Sequence, residues 1–177
     1  MPKPNVSKAT IARIGVILLL FGASVAAAAG ADDYVEEARE YIAAGEVNAA
    51  IIQLKNALQS DPAHVQARLL LGELQLQKAD GAAAAKEFGR ARDLGVGSEK
   101  WILGYARALM LQGAYRELLK EVEVDEALPL QMRAELLAMR GFANLMLRQT
   151  DAAVIEYDAA LALDSANPTA RLGKAQI

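Results

Sequence analysis

The residues that could carry out chemistry are few in this chain and are not grouped. Among its 177 residues there is no cysteine, which excludes a thiol nucleophile and cysteine-bound zinc. The one histidine, His64, follows Asp61 and Pro62, where we expect a solvated turn residue and not a zinc ligand or a member of a Ser/His/Asp triad. The sequence has no glycine-rich phosphate loop. It therefore predicts no catalytic residue, no cofactor and no metal site.

Acidic residues are the remaining candidates for catalysis. Glycoside hydrolysis needs two carboxylates that face each other across a cleft. Acidic pairs such as Glu36 with Glu37 and Glu121 with Glu123 fall on helix faces that we expect to be solvated. A binding protein without catalytic activity is therefore the leading interpretation. An enzyme or enzyme domain acting on polysaccharide is the alternative.

Residues 1–31 have the composition of a signal peptide, or of an uncleaved membrane anchor. A basic segment with Lys3, Lys8 and Arg13 precedes an apolar run over 14–25 and small residues over 26–31. The apolar run is short for a membrane span, which needs about 20 residues. We expect export, with cleavage after residues 29–31.

The charge of the remaining chain argues against nucleic-acid binding. The whole chain has 19 basic and 22 acidic residues, and the first 31 residues hold three of the basic ones and no acid. Removing them leaves 19 − 3 = 16 basic residues against 22 acidic ones, a net charge of −6. A protein that neutralises phosphates needs the opposite balance.

An internal repeat predicts the architecture that must position any binding residues. The segments AIIQLKNAL (50–58), AAKEFGRA (84–91) and AVIEYDAAL (153–161) each have an alanine, a large apolar residue four positions later and an alanine three positions after that. Ala50 and Ala84 are 34 residues apart. These segments resemble the tetratricopeptide repeat (TPR), a 34-residue unit of two antiparallel helices, A and B.

The resemblance implies an all-α fold, a right-handed TPR superhelix (α-solenoid) of about four repeats. The predicted units are 31–64, 65–98, 99–133 and 134–167, with 32–166 as the repeat domain and 168–177 as the start of a fifth helix A. Predicted helices cover 33–44, 47–60, 65–78, 81–94, 99–112, 114–123, 131–148 and 150–164. Glycines should lie in the A–B turns at Gly45 and Gly113, and N-caps at Asp80, Ser98, Thr150 or Asp151, and Asn167. In the third repeat helix B should end early and leave a loop near 124–130.

A narrower resemblance covers nearly all of the chain after the signal segment. The motifs AREY (38–41), AIIQLKNAL (50–58), ARLLLGE (67–73) and RAELLAMRG (133–141) are similar to those of the TPR-repeat lipoprotein associated with the PEP-CTERM/exosortase system of Gram-negative bacteria. This family implies an exported, periplasmic or membrane-associated protein linked to exopolysaccharide production and PEP-CTERM protein sorting. The chain lacks the cysteine that would carry a lipid.

The TPR resemblance also implies where a partner binds. In this family helix A lines the concave face, and the groove positions of successive repeats face the same way. The candidate groove residues are Val35, Arg39, Leu69, Glu73, Leu103, Arg107, Met110 and Phe142. For Met110 and Phe142 the alternative is packing against a neighbouring helix. We therefore expect a scaffold that binds envelope proteins through this face, and that contacts the membrane only if the N-terminal segment is uncleaved.

Overall fold

A computed structural model describes residues 30–177, in which every regular element is helical. The α-helices of this region are α1 (Ala31–Ala43), α2 (Val47–Ser60), α3 (Val65–Gln77), α4 (Gly81–Asp93), α5 (Ile102–Gln112), α6 (Tyr115–Glu121), α7 (Leu130–Met146), α8 (Thr150–Leu163) and α9 (Pro168–Ala175). The predicted helices agree with these bounds to within three residues. The predicted signal segment lies outside the described residues, except for its last two positions.

The turns between helices A and B share one backbone conformation. In the register that begins at Ala31, Val65, Glu99 and Ala134, position 15 has a positive φ in every repeat: +76° at Gly45, +56° at Ala79, +66° at Gly113 and +63° at Arg148. The predicted glycine turns are confirmed at Gly45 and Gly113. The other two turns hold a side chain in a conformation that costs an L-residue roughly 1–2 kcal/mol.

The core consists of the same register positions in each repeat. Position 24 is fully buried in all four repeats, where it holds Leu54, Phe88, Val122 and Tyr157. The small eighth position is buried as well, at Ala38, Gly72, Ala106 and Gly141. A helix pair cannot cover its own apolar face, so these side chains are enclosed only when successive repeats stack.

Glycines flank the aromatic side chains on both sides. A Cβ atom added at Gly72 would lie 2.9 Å from the ring of Phe88, and one added at Gly104 would lie 2.3 Å from it. Gly72 belongs to helix A of the same repeat, and Gly104 to helix A of the next. The ring of Phe88 therefore occupies the space that side chains at these two positions would need.

Tyr157 has the same surroundings two repeats further along the chain. Cβ atoms added at Gly141 and Gly173 would lie 2.7 and 2.1 Å from its ring. Where position 24 is aliphatic, the helix A positions that correspond to these glycines hold side chains. They are Ala38 and Leu70 around Leu54, and Ala106 and Met139 around Val122.

Helix B of the third repeat is shorter than those of the other repeats by almost two helical turns. Helix α6 has only seven residues and ends at Glu121, and the irregular segment runs from 122 to 129, slightly earlier than the predicted 124–130. Helix α7 begins at Leu130 and has 17 residues. Position 27, an alanine in the other repeats, is the exposed Asp125, and the apolar volume is filled instead by Leu128, which is 5% exposed.

Two arginines connect neighbouring repeats by binding backbone carbonyls. The Arg140 guanidinium donates to the carbonyls of Leu119 (3.1 Å) and Val122 (2.8 Å) at the end of α6, while its Nε lies 2.9 Å from the Glu156 carboxylate. Arg68 likewise donates to the Pro62 carbonyl after α2 and lies 2.7 Å from Glu87. Arg140 thereby satisfies acceptors that a helix end leaves free, and Arg68 satisfies an acceptor in the connection between α2 and α3.

Several local predictions were wrong. A 3-10 helix (Ser98–Lys100) precedes α5, so the region 99–112 is not one α-helix and Ser98 does not cap it. The N-cap of α8 is Gln149, because Thr150 and Asp151 are already helical. Asp80 and Asn167 are N-caps as predicted, accepting from the amides of Ala83 and Ala170 at 3.0 Å.

His64 is not the solvated turn residue that the sequence suggested. Its side chain is only 13% exposed. Its Nδ1 accepts the Ala67 amide at 3.2 Å as the N-cap of α3, and its Nε2 lies 2.9 Å from the Asp32 carboxylate. The imidazole therefore joins the first two repeats as a structural residue.

Candidate functional site

The candidate groove residues lie on helices α1, α3, α5 and α7, at equivalent positions of successive repeats. The apolar members are partly or fully enclosed: Val35 is 4% exposed, and Leu69, Leu103, Met110 and Phe142 are half-buried. The charged members, Arg39, Glu73 and Arg107, are exposed. The helix A face thus has an apolar floor and a row of charges above it.

The two arginines of this row are engaged by carboxylates other than Glu73. Arg39 pairs with Glu36 at 3.3 Å within α1, and Arg107 pairs with Glu135 of the next repeat at 2.7 Å. Among the described residues, Glu73 has neither an ion pair nor a side-chain hydrogen bond. Exposed pairs of this kind contribute only about 0–1 kcal/mol to stability. The row is therefore available to a partner at little cost to the fold.

Phe142 and Met110 contribute to packing as well as to the face. The Phe142 ring meets the Tyr115 ring edge to face, with centroids 6.0 Å apart and an interplanar angle of 66°. Met110 packs against the central core of the chain. Both side chains remain half-exposed, and their role in binding stays a prediction.

The sequence analysis missed the exposed apolar residues next to this row. At position 13, Leu111 is 53% exposed and Met146 is 43% exposed. A cavity of about 460 Å³ adjoins Met146 and is lined by Leu145, Met146, Arg148, Thr150, Gln176 and Ile177. The signal was present in the repeat alignment, because position 13 changes from Ala43 and Gln77 to these two large side chains.

One residue of each acidic pair that the sequence offered for glycoside hydrolysis belongs to a surface ion pair. Glu36 pairs with Arg39, and Glu121 lies 3.2 Å from Arg92 and 2.8 Å from Lys120. Within residues 30–177 no group of three or more His, Asp or Glu side chains is arranged to hold a metal ion. In the same region no helix is both long and apolar enough to span a bilayer.

Comparison with known proteins identifies the repeat. Residues 41–101 match the tetratricopeptide repeat family. The chain folds as a TPR solenoid. TPRs generally mediate protein–protein interactions, and this supports partners that are proteins. No curated protein sequence matches the chain.

Solved structures agree with the TPR fold over most of the chain. The structure of pilF from Pseudomonas aeruginosa is 21% identical, with a TM-score of 0.65 over 82% of this chain and 66% of that one. A tetratricopeptide repeat protein from Parabacteroides merdae is 19% identical, with a TM-score of 0.66 over 82% of this chain and 57% of that one. This chain therefore spans less than two thirds of either relative. These likenesses confirm the predicted all-α solenoid.

Proposed function

We propose that this protein is an exported TPR scaffold that holds partner proteins on its helix A face. The observation that carries the proposal is the exposed row Arg39, Glu73 and Arg107, which repeats at one register position above an apolar floor. Equivalent positions of stacked repeats form one continuous strip. Charges on such a strip give a bound segment its register and specificity, and the apolar neighbours supply most of the affinity.

The test is a double charge reversal on this row. We expect Arg39→Glu with Arg107→Glu to lose specific partners in affinity capture from an envelope fraction, without a change in melting temperature. The matched control reverses Lys55 and Lys86, which are exposed on helices α2 and α4, and it should keep every partner. Retention of all partners by the groove variant would place binding elsewhere on the solenoid.

Export is part of the proposal and rests on the basic, apolar and small-residue segments of residues 1–31. We expect the mature protein to begin at residues 30–32. Intact mass and N-terminal sequencing of protein purified from its native envelope measure this directly. An intact N-terminus would show that the segment is retained as an anchor.

The pathway is proposed from the resemblance to the PEP-CTERM/exosortase lipoprotein family. The motifs over 38–41, 50–58, 67–73 and 133–141 support it, and they include the start of the repeat that follows the irregular segment. We expect deletion of the gene to lower exopolysaccharide output and to retain PEP-CTERM proteins inside the cell. Normal output and normal sorting in the deletion strain would separate this scaffold from that pathway.

A further inference from the structure

The helix A face changes character along the solenoid. At positions 9 and 13 the first two repeats present Arg39, Ala43, Glu73 and Gln77. The next two present Arg107, Leu111, Phe142 and Met146. Single exposed apolar residues are ordinary on protein surfaces. Here they occupy the same position in neighbouring repeats, with Leu111 53% and Met146 43% exposed, and so form one patch.

We call the residues Leu111, Phe142, Leu145 and Met146 the apolar patch. On its floor the Phe142 ring packs against the Tyr115 ring. Its outer edge opens into the cavity of about 460 Å³, whose rim carries Arg148, Thr150 and Gln176. An apolar surface with a polar rim is the usual composition of a protein-binding site.

At the end of the face that carries Glu73, the charge favours a basic residue in the partner. Glu36 and Glu135 already neutralise the two arginines of the row, which leaves the exposed Glu73 without an ion pair in residues 30–177. The same region has a net charge of −6, from 16 basic and 22 acidic residues. Such a field attracts cationic segments and repels anionic ones.

We propose that repeats 2 to 4 bind a cationic amphipathic helix of a partner protein, a statement that rests on the proposed scaffold function. Neighbouring packed helices lie about 8–10 Å apart, which is close to the roughly 10.5 Å that separates residues i and i+7 of a helix at 1.5 Å per residue. Two apolar side chains seven residues apart therefore reach the Leu111 and Met146 sides of the patch. A lysine or arginine seven residues before the first of these two apolar side chains reaches Glu73.

Synthetic helical peptides test this chemistry on the purified full chain. The probe has an alanine-rich background, leucines at i, i+3 and i+7, and lysine at i−7. A second peptide replaces that lysine by glutamate, and a third replaces the leucines by serine. By fluorescence anisotropy we expect the lysine peptide to bind at least about tenfold tighter than the glutamate peptide, as for a close charge pair. The serine peptide should not bind measurably.

Protein variants show whether the peptides occupy the proposed surface. Glu73→Lys should reverse the preference between the lysine and glutamate peptides, whereas Glu126→Lys, the same charge change in the exposed loop of repeat 3, should keep it. Met146→Asp should weaken the lysine peptide at least about tenfold, since it places a charge in the apolar patch. Ile155→Asp is the matched control, because Ile155 is 69% exposed on α8, away from this face.

Three results would overturn the proposal: equal binding of the lysine and glutamate peptides, no reversal by Glu73→Lys, or equal effects of Glu73→Lys and Glu126→Lys. These results are distinct from failure of the scaffold function. If the Arg39 and Arg107 reversals abolish capture of envelope partners while the peptides show no preference, the scaffold stands and the cationic-helix partner is wrong. If neither experiment responds, the helix A face is not the binding surface.

Discussion

Repeat 2 and repeat 3 are neighbours in one solenoid, yet they enclose their cores in different ways. Repeat 2 fills position 24 with Phe88 and makes room for the ring with Gly72 and Gly104. Repeat 3 fills it with Val122 and surrounds that smaller side chain with Ala106 and Met139. The volume at position 24 is thus shared among three helices from two repeats, and no single position determines the packing.

The ends of the helices differ in the same two repeats. In repeat 2, α4 has 13 residues and ends in a glycine turn at Gly95, with φ of +79°. In repeat 3, α6 has seven residues, and its last carbonyls are bound by Arg140 of the next repeat. Every helix leaves its last carbonyls without partners inside the helix, and for α6 the next repeat supplies the donor.

The largest expected effect follows from emptying position 24 in each repeat. Phe88→Ala should lower the free energy of unfolding by about 3–5 kcal/mol, because the flanking glycines cannot fill the cavity. Val122→Ala should lower it by roughly 1–3 kcal/mol, since fewer buried carbon atoms are removed. Urea titrations followed by circular dichroism measure both. Equal losses at the two sites would contradict the shared-volume account.

The second effect comes from adding one methyl group beside the ring. Gly104→Ala should destabilise by roughly 1–3 kcal/mol, since its Cβ would lie 2.3 Å from Phe88. Gly89→Ala is the control, because no heavy atom lies within 4 Å of a Cβ at that helical position. It should stabilise by about 0.5–1 kcal/mol through helix propensity alone.

A double variant sharpens this comparison. Phe88→Leu combined with Gly104→Ala should recover part of the loss of Gly104→Ala, since the smaller side chain makes room for the added methyl group. Thermal melts of the single and double variants give the coupling between the two sites. Strictly additive changes would show that the ring and the glycine do not share space.

The third effect tests the dependence of the short helix on its neighbour. Arg140→Met removes two hydrogen bonds from the end of α6 and leaves Glu156, whose side chain is 16% exposed, without its ion pair. We expect a loss of about 1–3 kcal/mol, together with faster amide exchange in α6. Arg107→Met breaks an exposed pair and should change stability by less than about 1 kcal/mol. Equal effects would mean that Arg140 is only a surface residue.

The fold was predictable because the same sequence pattern occurs in several repeats. Small residues at position 8 and a large one at position 24 give the same helix pair in each copy. One irregular repeat therefore does not change the assignment of the fold, because the other repeats still show the pattern. The turns at Ala79 and Arg148 were not predictable from residue type, since their positive φ follows from the repeat geometry and contradicts the preference of the residue.

The binding surface was predictable only in part. Register placed Arg39, Glu73 and Arg107 in one exposed row, because equivalent positions of stacked helices face the same way. The partners of those charges could not be read from register, since the Arg107–Glu135 pair depends on side-chain reach between repeats. The exposure of Leu111 and Met146 was missed for a different reason, because an apolar residue on helix A is normally assigned to the core.

The smallest expected effect compares the two aromatic side chains at position 24. The Tyr157 hydroxyl is buried and has no hydrogen-bond partner among the described residues, whereas Phe88 has no such group to satisfy. Tyr157→Phe should therefore leave stability near pH 7 unchanged or raise it by up to about 1 kcal/mol, and Phe88→Tyr should lower it.

The pH dependence of Tyr157→Phe separates this hydroxyl from general packing. Burial raises the pKa of Tyr157 above its ordinary value of 10.0, so the folded state resists ionisation that the unfolded state allows. The wild-type chain should then lose stability as the pH rises above about 10, where the unfolded tyrosine ionises first. Burial, followed by the charge and hydrogen bond of Glu117, also raises the pKa of Tyr105. Because Tyr105 is unchanged in Tyr157→Phe, that variant should still lose some stability at high pH. The advantage of Tyr157→Phe over the wild type should therefore widen from pH 9 to pH 11 in parallel melts. A constant difference across that range would show that the hydroxyl is solvated in the folded protein.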